Sequence, residues 1–513
     1  MPWTTKIYGP PGTGKTTTLI SMLKTVLASG TPPTRVAYIT HTKAACVEVR
    51  DRVAEELNLK KGDMKWFRTI HSTCFAMTSL NIGDVWGNKD CDDFNTETDF
   101  NLKGSFDVEA LEEFDDDKNE TDDIVLFAHQ LATSRMVPLS QIIPEMPVSA
   151  KLASPHAFLD AYQQFKNERG KLDFMDMLTQ YNDGPHPAGP VDVVFVDEAQ
   201  DLSRLQWEIV HKFAANAREL HLAGDDDQSI YRFLGADEYG FLDHPSDEDN
   251  VLTHSYRVPK AIGEYAAHVI GQIKRRKMKE VVWQDKPGGI SNHILDEMFL
   301  PWNEWAKGDE SVMVLCRHRK QLYKVSRMLN ELKVPHTLKG KSMATSPLGE
   351  CIGTYLKLFH TDENFRPAVL AKMFDRLGDK TQAAEMRSLG ASDRNVVLRI
   401  GDINLTYKDN WPSIFSRYKW EVAQIEALRK QINEYGLEVI GNKPNIDIST
   451  YHGSKGREAD HVILFTDCYK QTWDEQENDP DSEIRLAYVG LTRAKNSVTI
   501  IVPRTSMYLR ALV

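Results

Sequence analysis

Hydrophobic residues follow two different spacings along the chain, and their alternation predicts an α/β fold. Short apolar runs of the kind found in buried strands occur at Thr5 to Tyr8, Arg35 to Thr40 and Val191 to Val196. Segments with apolar residues at helical spacing follow the first two runs, at Thr16 to Ala28 and Lys43 to Leu57. Because parallel strands need crossover connections, usually helices, this order predicts a parallel sheet covered by helices.

The same alternation returns further along the chain and predicts a second α/β domain. After Leu220 to Gly224, a further strand-like run of the first domain, the strand-like runs of the second are Ser311 to Cys316, Asp460 to Phe465 and Val498 to Val502. Phe67 to Ser72 is predicted to be a short strand that ends in a polar turn. Two long segments, the acidic residues 80–165 and residues 345–442, interrupt the alternation and are predicted to be mainly helical insertions. A chain of 513 residues is too long for one hydrophobic core, so several domains are expected.

Composition and charge narrow the function classes. The net charge of -12 argues against a polycation that coats nucleic acid, although a locally basic groove would suffice for binding. Basic residues gather at Lys274 to Lys277 and at Arg317 to Lys320. The six cysteines form no C-x-x-C pair, which indicates neither a zinc site nor an iron–sulfur cluster and is typical of a cytoplasmic compartment. Apolar runs stay shorter than the roughly 18 residues of a membrane span, so no membrane partner is expected.

Gly9-Pro10-Pro11-Gly12-Thr13-Gly14-Lys15-Thr16 matches the phosphate-loop pattern G-x-x-x-x-G-K-[ST]. Such a loop turns backbone N–H groups toward the phosphates of a nucleotide, and the following helix adds its N-terminal dipole. Lys15 would reach the β- and γ-phosphates, and the Thr16 hydroxyl would be a ligand of Mg²⁺. The chain is therefore predicted to bind a nucleoside triphosphate through Gly12, Thr13, Gly14, Lys15, Thr16 and Thr17.

Two strand-like runs end in acidic residues, which predicts a catalytic edge of the sheet. Asp197 would hold Mg²⁺ through water, and Glu198 would orient or deprotonate the attacking water. The run ending at Gly224 leads to Gln228, whose carboxamide can bond both a γ-phosphate oxygen and that water. Tyr231 and Phe233 follow closely and could stack on bases, although core packing explains these two aromatics better when they are taken alone.

The segments Asp197 to Asp201 and Gly224 to Tyr231 together resemble the UvrD/Rep branch of the superfamily 1 DNA helicases. The other motifs of that family appear in its order. Ser255-Tyr256-Arg257 resembles motif IV, Thr450 to Glu458 resembles motif V, and Arg485 to Lys495 resembles motif VI. Thr69, His71 and Leu172-Asp173-Phe174 match further family motifs near the DNA path.

The resemblance implies two RecA-like parallel-sheet domains that form an ATP cleft, with ATP and Mg²⁺ as cofactors. By resemblance, Arg257 contacts the γ-phosphate, Tyr256 packs on the base and Arg493 is an arginine finger in cis. Gly456 and Glu458 are carried over as further nucleotide contacts. His41 stands where the family often has a DNA-stacking phenylalanine. The predicted DNA contacts are His41, Thr69, His71, Phe174, Tyr231, Phe233, Thr450 and His452.

The resemblance also predicts the domain boundaries. Residues 1–79 and 166–250 would form the first motor domain, with the 1B-like insertion at 80–165, and residues 251–344 and 443–513 the second, with the 2B-like insertion at 345–442. The sequence departs from the family in the stretch Met1 to Tyr8, which holds no adenine-reading glutamine and leaves the choice between ATP and GTP open. Phe233 replaces a customary tryptophan, and Leu234 replaces the arginine that follows it.

Three functions remain open from the sequence. The first is an ATP-driven helicase that moves 3′-to-5′ on single-stranded DNA, with strand–duplex junctions and replication or repair proteins as partners. The second is a translocase that displaces bound proteins and barely unwinds duplex. The third is a nucleotide-dependent switch without motor activity. The expected location is the cytoplasm, either bacterial or that of a host cell if the protein is viral.

Overall fold

The computed structural model describes residues 1–78, 80–103, 121–146, 154–293, 300–393, 396–403, 405–406 and 408–513. The chain divides into two compact units. The first comprises Met1–Gly289 and Asp474–Thr492, and the second comprises Ile290–Trp473 and Arg493–Val513. Two six-stranded sheets, one in the N-terminal part of the chain and one in the C-terminal part, confirm the predicted α/β class.

The first sheet brings three functional loops to one edge. Its strands are β1 (Trp3–Tyr8), β2 (Val36–Thr40), β3 (Trp66–Thr69), β4 (Val193–Val196), β5 (Glu219–Gly224) and β6 (Glu248–Val251). Their order is β3-β2-β4-β5-β1-β6, and the neighbouring strands are parallel. Because β4, β5 and β1 are neighbours, the loops that follow their carboxyl ends meet. The phosphate loop follows β1, and the two acidic motifs follow β4 and β5.

Helices cover both faces of this sheet. Successive side chains of a strand point to opposite faces, so each strand contributes to two separate cores. Tyr38 and Phe195 pack on one face, against helices Lys15–Ala28 and Lys43–Leu57, whereas Val194 belongs to the core on the other. Among the described residues of the first unit, the remaining helices are Ile70–Thr78, Asn88–Glu97, Thr121–Arg135, Leu139–Ile142, Pro155–Arg169, Phe174–Asp183, Arg204–Ala214, Gly240–Asp243, Lys260–Ile270 and Pro480–Leu491. Two further strands, β7 (His254–Pro259) and β8 (Val282–Gln284), form a parallel pair.

The second sheet has the order β11-β12-β10-β13-β14-β9. Its strands are β9 (Gly289–His293), β10 (Val312–Cys316), β11 (Thr337–Leu338), β12 (Ile446–Thr450), β13 (Ala459–Phe465) and β14 (Ala494–Ile501). The helices in this part of the chain are Trp302–Lys307, Arg319–Glu331, Pro347–His360, Pro367–Leu377, Lys380–Ser392, Trp411–Phe415, Lys419–Tyr435 and Lys470–Asn478. Within the described ranges, the segments 80–165 and 345–442 are mainly helical, as predicted. Among the described helices, none is long and apolar enough to span a bilayer.

The prediction of a strand and polar turn over Phe67 to Ser72 is wrong in its second half. The strand ends at Thr69, and a helix begins at Ile70. The Thr69 hydroxyl accepts a hydrogen bond from the backbone N–H of Ser72 at 3.4 Å, as a helix cap does. Ile70 and Cys74, four residues apart, are both buried, so a hydrophobic face favours the helix.

The compact units also divide the chain elsewhere than the predicted domains do. Residues 251–289, predicted to open the second motor domain, cluster with the first unit. The Ser255 hydroxyl donates to the Pro11 carbonyl at 2.8 Å, and the Tyr256 N–H donates to the Gly12 carbonyl at 2.9 Å. These bonds fix the start of the segment beside the phosphate loop. The assignment of the chain to two motor domains with these boundaries stays a prediction.

Asp173 ties the helix Phe174–Asp183 to the preceding one. One carboxylate oxygen accepts from two backbone N–H groups of the first helical turn, at 2.8 and 2.9 Å. The other accepts from the Tyr162 hydroxyl at 3.0 Å and from the ammonium of the buried Lys166 at 2.9 Å. Burial alone would raise the pKa of Asp173, but Lys166 and these hydrogen bonds outweigh burial and lower the pKa. The charged carboxylate therefore stabilises the fold at neutral pH, and this contribution is lost as the pH falls through the lowered pKa.

Asp173→Ala should destabilise the first unit by about 3–5 kcal/mol, because the buried Lys166 loses a partner and the helix loses its cap. Urea unfolding followed by tryptophan fluorescence measures the change. Asp183→Ala, at the exposed end of the same helix, is the control and should leave the unfolding midpoint nearly unchanged. A shift for Asp173→Ala no larger than that of the control would contradict this account.

Candidate active site

The phosphate loop joins β1 to the helix Lys15–Ala28. Gly14 occupies the cap position of this helix with a φ of 80°, and Gly12 has a φ of +75°; side chains rarely adopt this left-handed region. A Cβ at Gly12 would also lie 2.6 Å from the Cβ of Arg257, so the close approach of the two segments requires glycine. The Lys15 ammonium donates to the Gly9 carbonyl at 2.8 Å. The loop therefore has the geometry of an anion cradle at a helix N-terminus.

Thr16 and Asp197, the two residues predicted to hold Mg²⁺, are in direct contact. The Thr16 hydroxyl lies 2.8 Å from a carboxylate oxygen of Asp197, and the Tyr38 hydroxyl donates to the same oxygen at 3.0 Å. This hydrogen bond places the carboxylate beside the predicted Mg²⁺ ligand Thr16, which fits a role of Asp197 in holding the ion through water. Burial and the neighbouring Glu198 raise the pKa of Asp197 to about 6, although Thr16, Lys15 and Tyr38 act against them. A bound cation would compensate this buried carboxylate.

Gln200 connects the catalytic edge to the loop that follows β5. Its Nε2 donates to a carboxylate oxygen of Glu198 at 2.7 Å, and its Oε1 accepts from the backbone N–H of Asp225 at 3.0 Å. Glu198 has a φ of 56°, an uncommon left-handed conformation for a non-glycine residue. Gln228, in turn, donates its Nε2 to a carboxylate oxygen of Asp225 at 2.7 Å. Glu198 and Gln228 are thus linked through Gln200 and Asp225.

The basic residues that gather at Lys274 to Lys277 are mostly paired with acidic side chains. Arg275 pairs with Asp243 at 2.6 Å, Lys277 pairs with Asp249 at 2.7 Å, and Arg276 pairs with a buried aspartate of the loop after β5. Arg317, which opens the second basic run, is buried. Three of the four charges of the run Lys274 to Lys277 are therefore paired with carboxylates, and of these three pairs that of Arg276 is buried.

The carboxylates Asp225, Asp226 and Asp227 lie close enough together to suggest a second metal site. The Lys279 ammonium, however, lies 2.5, 2.6 and 2.8 Å from one oxygen of each carboxylate. This cation takes the position that a metal would need. The cluster is therefore an internal ion network.

Tyr256 and Arg257 flank the phosphate loop in the first unit. Tyr256 is 74% exposed, which leaves its ring available for a nucleotide base. Arg257 follows it on β7, and its Cβ faces Gly12. The structure thus brings together, within one unit, the predicted nucleotide residues of the phosphate loop, Asp197, Glu198, Gln228, Tyr256 and Arg257.

Three aromatic rings, defined here as the aromatic row, come from the loops after β2 and β5. They belong to His41, which follows β2, and to Tyr231 and Phe233, which follow β5. The rings of His41 and Tyr231 are stacked with centroids 6.1 Å apart, and those of Tyr231 and Phe233 are 6.3 Å apart. His71 lies edge-on to Phe174 at 6.0 Å, and Phe174 is 62% exposed. Burial, with a smaller effect of His41, lowers the pKa of His71 to about 4, so its imidazole is neutral near pH 7. Thr69 caps the helix that carries His71.

The other predicted site residues lie in the second unit. Thr450 and His452 are buried, and the Thr450 hydroxyl accepts from the Gly453 N–H at 3.0 Å. Glu458 pairs with Lys495 at 2.7 Å, Gly456 has a φ of +76°, and Arg493 donates to the Arg457 carbonyl at 3.3 Å. Their contacts with nucleotide or DNA stay predictions.

Sequence reasoning missed three residues of the site. Tyr38 holds Asp197, Gln200 bridges the two acidic motifs, and Lys279 neutralises the carboxylates after β5. Gln200 stands inside a recognised motif, so its position was a usable signal. Tyr38 and Lys279 act across 159 and 54 residues of sequence, and no local pattern marks them.

These features define a nucleotide-binding protein of the phosphate-loop α/β class. Residues 3–248 match the family model of the UvrD/REP helicase N-terminal domain, and residues 420–505 match that of the UvrD-like helicase C-terminal domain. The chain belongs to the UvrD/Rep-like helicase family.

Curated relatives agree with this assignment. The ATP-dependent DNA helicase PcrA of Staphylococcus aureus strain Mu50 is 26% identical over 311 residues, which cover 57% of this chain and 41% of the relative. PcrA of Bacillus subtilis strain 168 is 26% identical over 308 residues, covering 54% and 39%. PcrA of Staphylococcus epidermidis strain RP62A is 26% identical over 341 residues, covering 63% and 45%. The matched part thus spans less than half the length of these relatives.

Asp197→Asn should weaken magnesium-dependent nucleotide binding about tenfold or more, because a neutral amide replaces the anion that would hold Mg²⁺ through water. Titration of a fluorescent ATP analogue, with Mg²⁺ or with EDTA, measures the effect, which should vanish in EDTA. Tyr38→Phe removes a hydrogen bond to the same oxygen but keeps the carboxylate, so it is the matched control. Equal affinities of Asp197→Asn and the wild type in Mg²⁺ would rule out Asp197 as part of the metal site.

Proposed function

We propose that this chain is the motor of an ATP-dependent DNA helicase that moves along single-stranded DNA, in the 3′-to-5′ direction by family resemblance. The observation that carries the proposal is the loop after β5. Gln228 at its start is linked to Glu198 through Asp225 and Gln200, and Tyr231 and Phe233 of the aromatic row lie a few residues further on. A change at the nucleotide can therefore alter the surface that stacks on bases.

Each residue near the phosphate loop has a defined part in the proposed hydrolysis. Lys15 binds the β- and γ-phosphates, and Thr16 and Asp197 hold Mg²⁺, which neutralises charge on the phosphates. Glu198 orients and deprotonates the attacking water. Gln228 exchanges its bond to Asp225 for one to the γ-phosphate and so senses hydrolysis.

Arginines complete the proposed site. Arg257 adds positive charge where negative charge develops on the γ-phosphoryl group. Arg493 is proposed as the arginine finger, with Gly456 and Glu458 as further nucleotide contacts and ATP held in a cleft between the motor domains; these roles rest on the family resemblance. Stacking on Tyr256 does not depend strongly on base identity, so GTP as well as ATP is a candidate substrate for hydrolysis.

The DNA path is proposed to follow the aromatic row and then His71 and Phe174. Stacking of successive bases on aromatic rings holds single strands with little sequence preference. Thr69, Thr450 and His452 are proposed as further contacts on the grounds of the family motifs. The natural substrates would be single strands and strand–duplex junctions, met during DNA replication or repair in the cytoplasm.

The experiment that tests the function measures ATP hydrolysis with and without an oligothymidylate, beside the displacement of a DNA strand and of streptavidin from biotinylated DNA. A helicase gives DNA-stimulated hydrolysis and strand displacement from 3′-tailed duplexes. Stimulated hydrolysis with streptavidin displacement alone identifies the translocase function. Hydrolysis that ignores DNA would contradict both motor functions.

Glu198→Gln should lower DNA-stimulated hydrolysis by a factor of about 100 or more, because the general base is lost. ATP binding should persist, since the phosphate cradle and the metal ligands remain. Glu208→Gln, an exposed carboxylate on the helix Arg204–Ala214, is the control. Turnover by Glu198→Gln at the rate of the control would show that Glu198 does not act on the attacking water.

Phe233→Ala should weaken single-strand binding by about 1–3 kcal/mol, because one stacking surface is removed. Fluorescence anisotropy of a labelled oligothymidylate measures the affinity without nucleotide. Leu234→Ala, an exposed apolar neighbour outside the aromatic row, is the control. If both variants bind as tightly as the wild type, the aromatic row is not the DNA path.

A further inference from the structure

Three carboxylates and two cations are buried together where the chain leaves β5. Asp225, Asp226 and Asp227 are 0%, 2% and 1% exposed. Lys279, whose side chain is 1% exposed, bonds all three, and the Arg276 guanidinium pairs with Asp227 alone among them. Both cations come from the segment between the helix Lys260–Ile270 and β8, far from the recognised motifs.

Asp225 is the carboxylate through which this network reaches the catalytic edge. One of its oxygens accepts from the Lys279 ammonium at 2.5 Å, and the other accepts from Gln228 Nε2 at 2.7 Å. Its backbone N–H donates to Gln200 Oε1 at 3.0 Å, and Gln200 Nε2 donates to Glu198 at 2.7 Å. Lys279 is therefore separated from Gln228 by a single carboxylate.

We infer that Lys279 is a positioning residue for ATP hydrolysis, whose charge keeps Asp225 an anionic acceptor and thereby places the Gln228 amide. This inference rests on the proposed role of Gln228 at the γ-phosphate. When Gln228 leaves Asp225 for the nucleotide, Lys279 remains as the partner of the buried carboxylate. The exchange can then occur without leaving a buried charge unpaired, which would be strongly unfavourable.

Electrostatics supports the geometry. Burial alone would raise the pKa of Asp225, but Lys279 and Lys15 outweigh burial and lower it. Burial would likewise lower the pKa of Lys279, yet the carboxylates Asp225, Asp227 and Asp226 raise it. Both partners thus stay ionised at neutral pH. Without the ammonium, a protonated carboxyl could turn either its hydroxyl or its carbonyl oxygen toward Gln228, so the acceptor of Gln228 would no longer be fixed.

Arg276 provides a control that distinguishes an effect on the position of Gln228 from an effect on the stability of the protein. It is buried against the same cluster, with 9% of its side chain exposed, but its described bonds to the cluster lead to Asp227. Removal of Arg276 therefore breaks a buried ion pair without touching the acceptor of Gln228. Arg276→Met is the matched control for Lys279→Met.

The test compares four variants of the 513-residue chain: Lys279→Met, Arg276→Met, Gln228→Ala and the double variant Lys279→Met/Asp225→Asn. Steady-state hydrolysis with saturating oligothymidylate gives kcat and KM, and thermal melting reports folding. Lys279→Met should lower kcat about tenfold or more and leave KM within about threefold, because the phosphate cradle is intact. Arg276→Met should melt earlier but keep kcat within about threefold. The double variant should recover most of kcat, since the asparagine amide needs no counter-charge and still accepts from Gln228.

Each outcome decides between the inference and the function on which it rests. Wild-type kcat in Gln228→Ala would remove the proposed role of Gln228 itself. A low kcat in Gln228→Ala beside a wild-type kcat in Lys279→Met would overturn the positioning role alone. An equal loss of kcat in Arg276→Met would reduce Lys279 to a stabilising residue. If Lys279→Met does not fold, the double variant decides, and a folded double variant with a tenfold lower kcat also overturns the inference.

Discussion

The contact of the Lys279 ammonium with three buried, consecutive carboxylates is the interaction on which the loop after β5 depends. A buried ion loses several kcal/mol of hydration, which only close and well-oriented partners offset. Asp225, Asp226 and Asp227 can therefore lie at the end of β5 only when the segment after the helix Lys260–Ile270 is in place. Folding of that distant segment thus fixes the loop that carries Gln228 and the aromatic row.

The parallel sheet supplies the second constraint, because it sets how closely neighbouring loops approach. The carboxyl ends of β4 and β5 are adjacent, and a Cβ at Gly224 would lie 2.7 Å from Gln200 Oε1. Glycine at this position lets the two acidic motifs share a hydrogen bond. Glu198 is held in a left-handed conformation beside them. Such a strained residue persists only where its surroundings over-determine it, as the bond from Gln200 helps to do.

The features that sequence predicted well are those written in contiguous residues. The phosphate loop, the strand before it and the helix Lys43–Leu57 follow from local spacing and turn chemistry, and the family motifs fix their order. Other features depend on distant partners. The helix begins at Ile70 because its apolar face is buried. Whether the cations of the run Lys274 to Lys277 are paired depends on acidic residues of other elements. A charge run in sequence gives no information about whether its charges are already paired.

The pairing of the basic run bears on how the proposed DNA site would bind a single strand. The net charge of the protein is -12, and three of the four cations in the basic run Lys274 to Lys277 are paired with carboxylates, which weakens the attraction of this run for phosphates. The proposed DNA site offers base stacking besides phosphate contacts, because the aromatic row and Phe174 present ring faces. Stacking tolerates any base and can be broken one ring at a time. The loop after β5 is held by buried ion pairs at its start and carries aromatic rings further along, which suits the release of one base at a time.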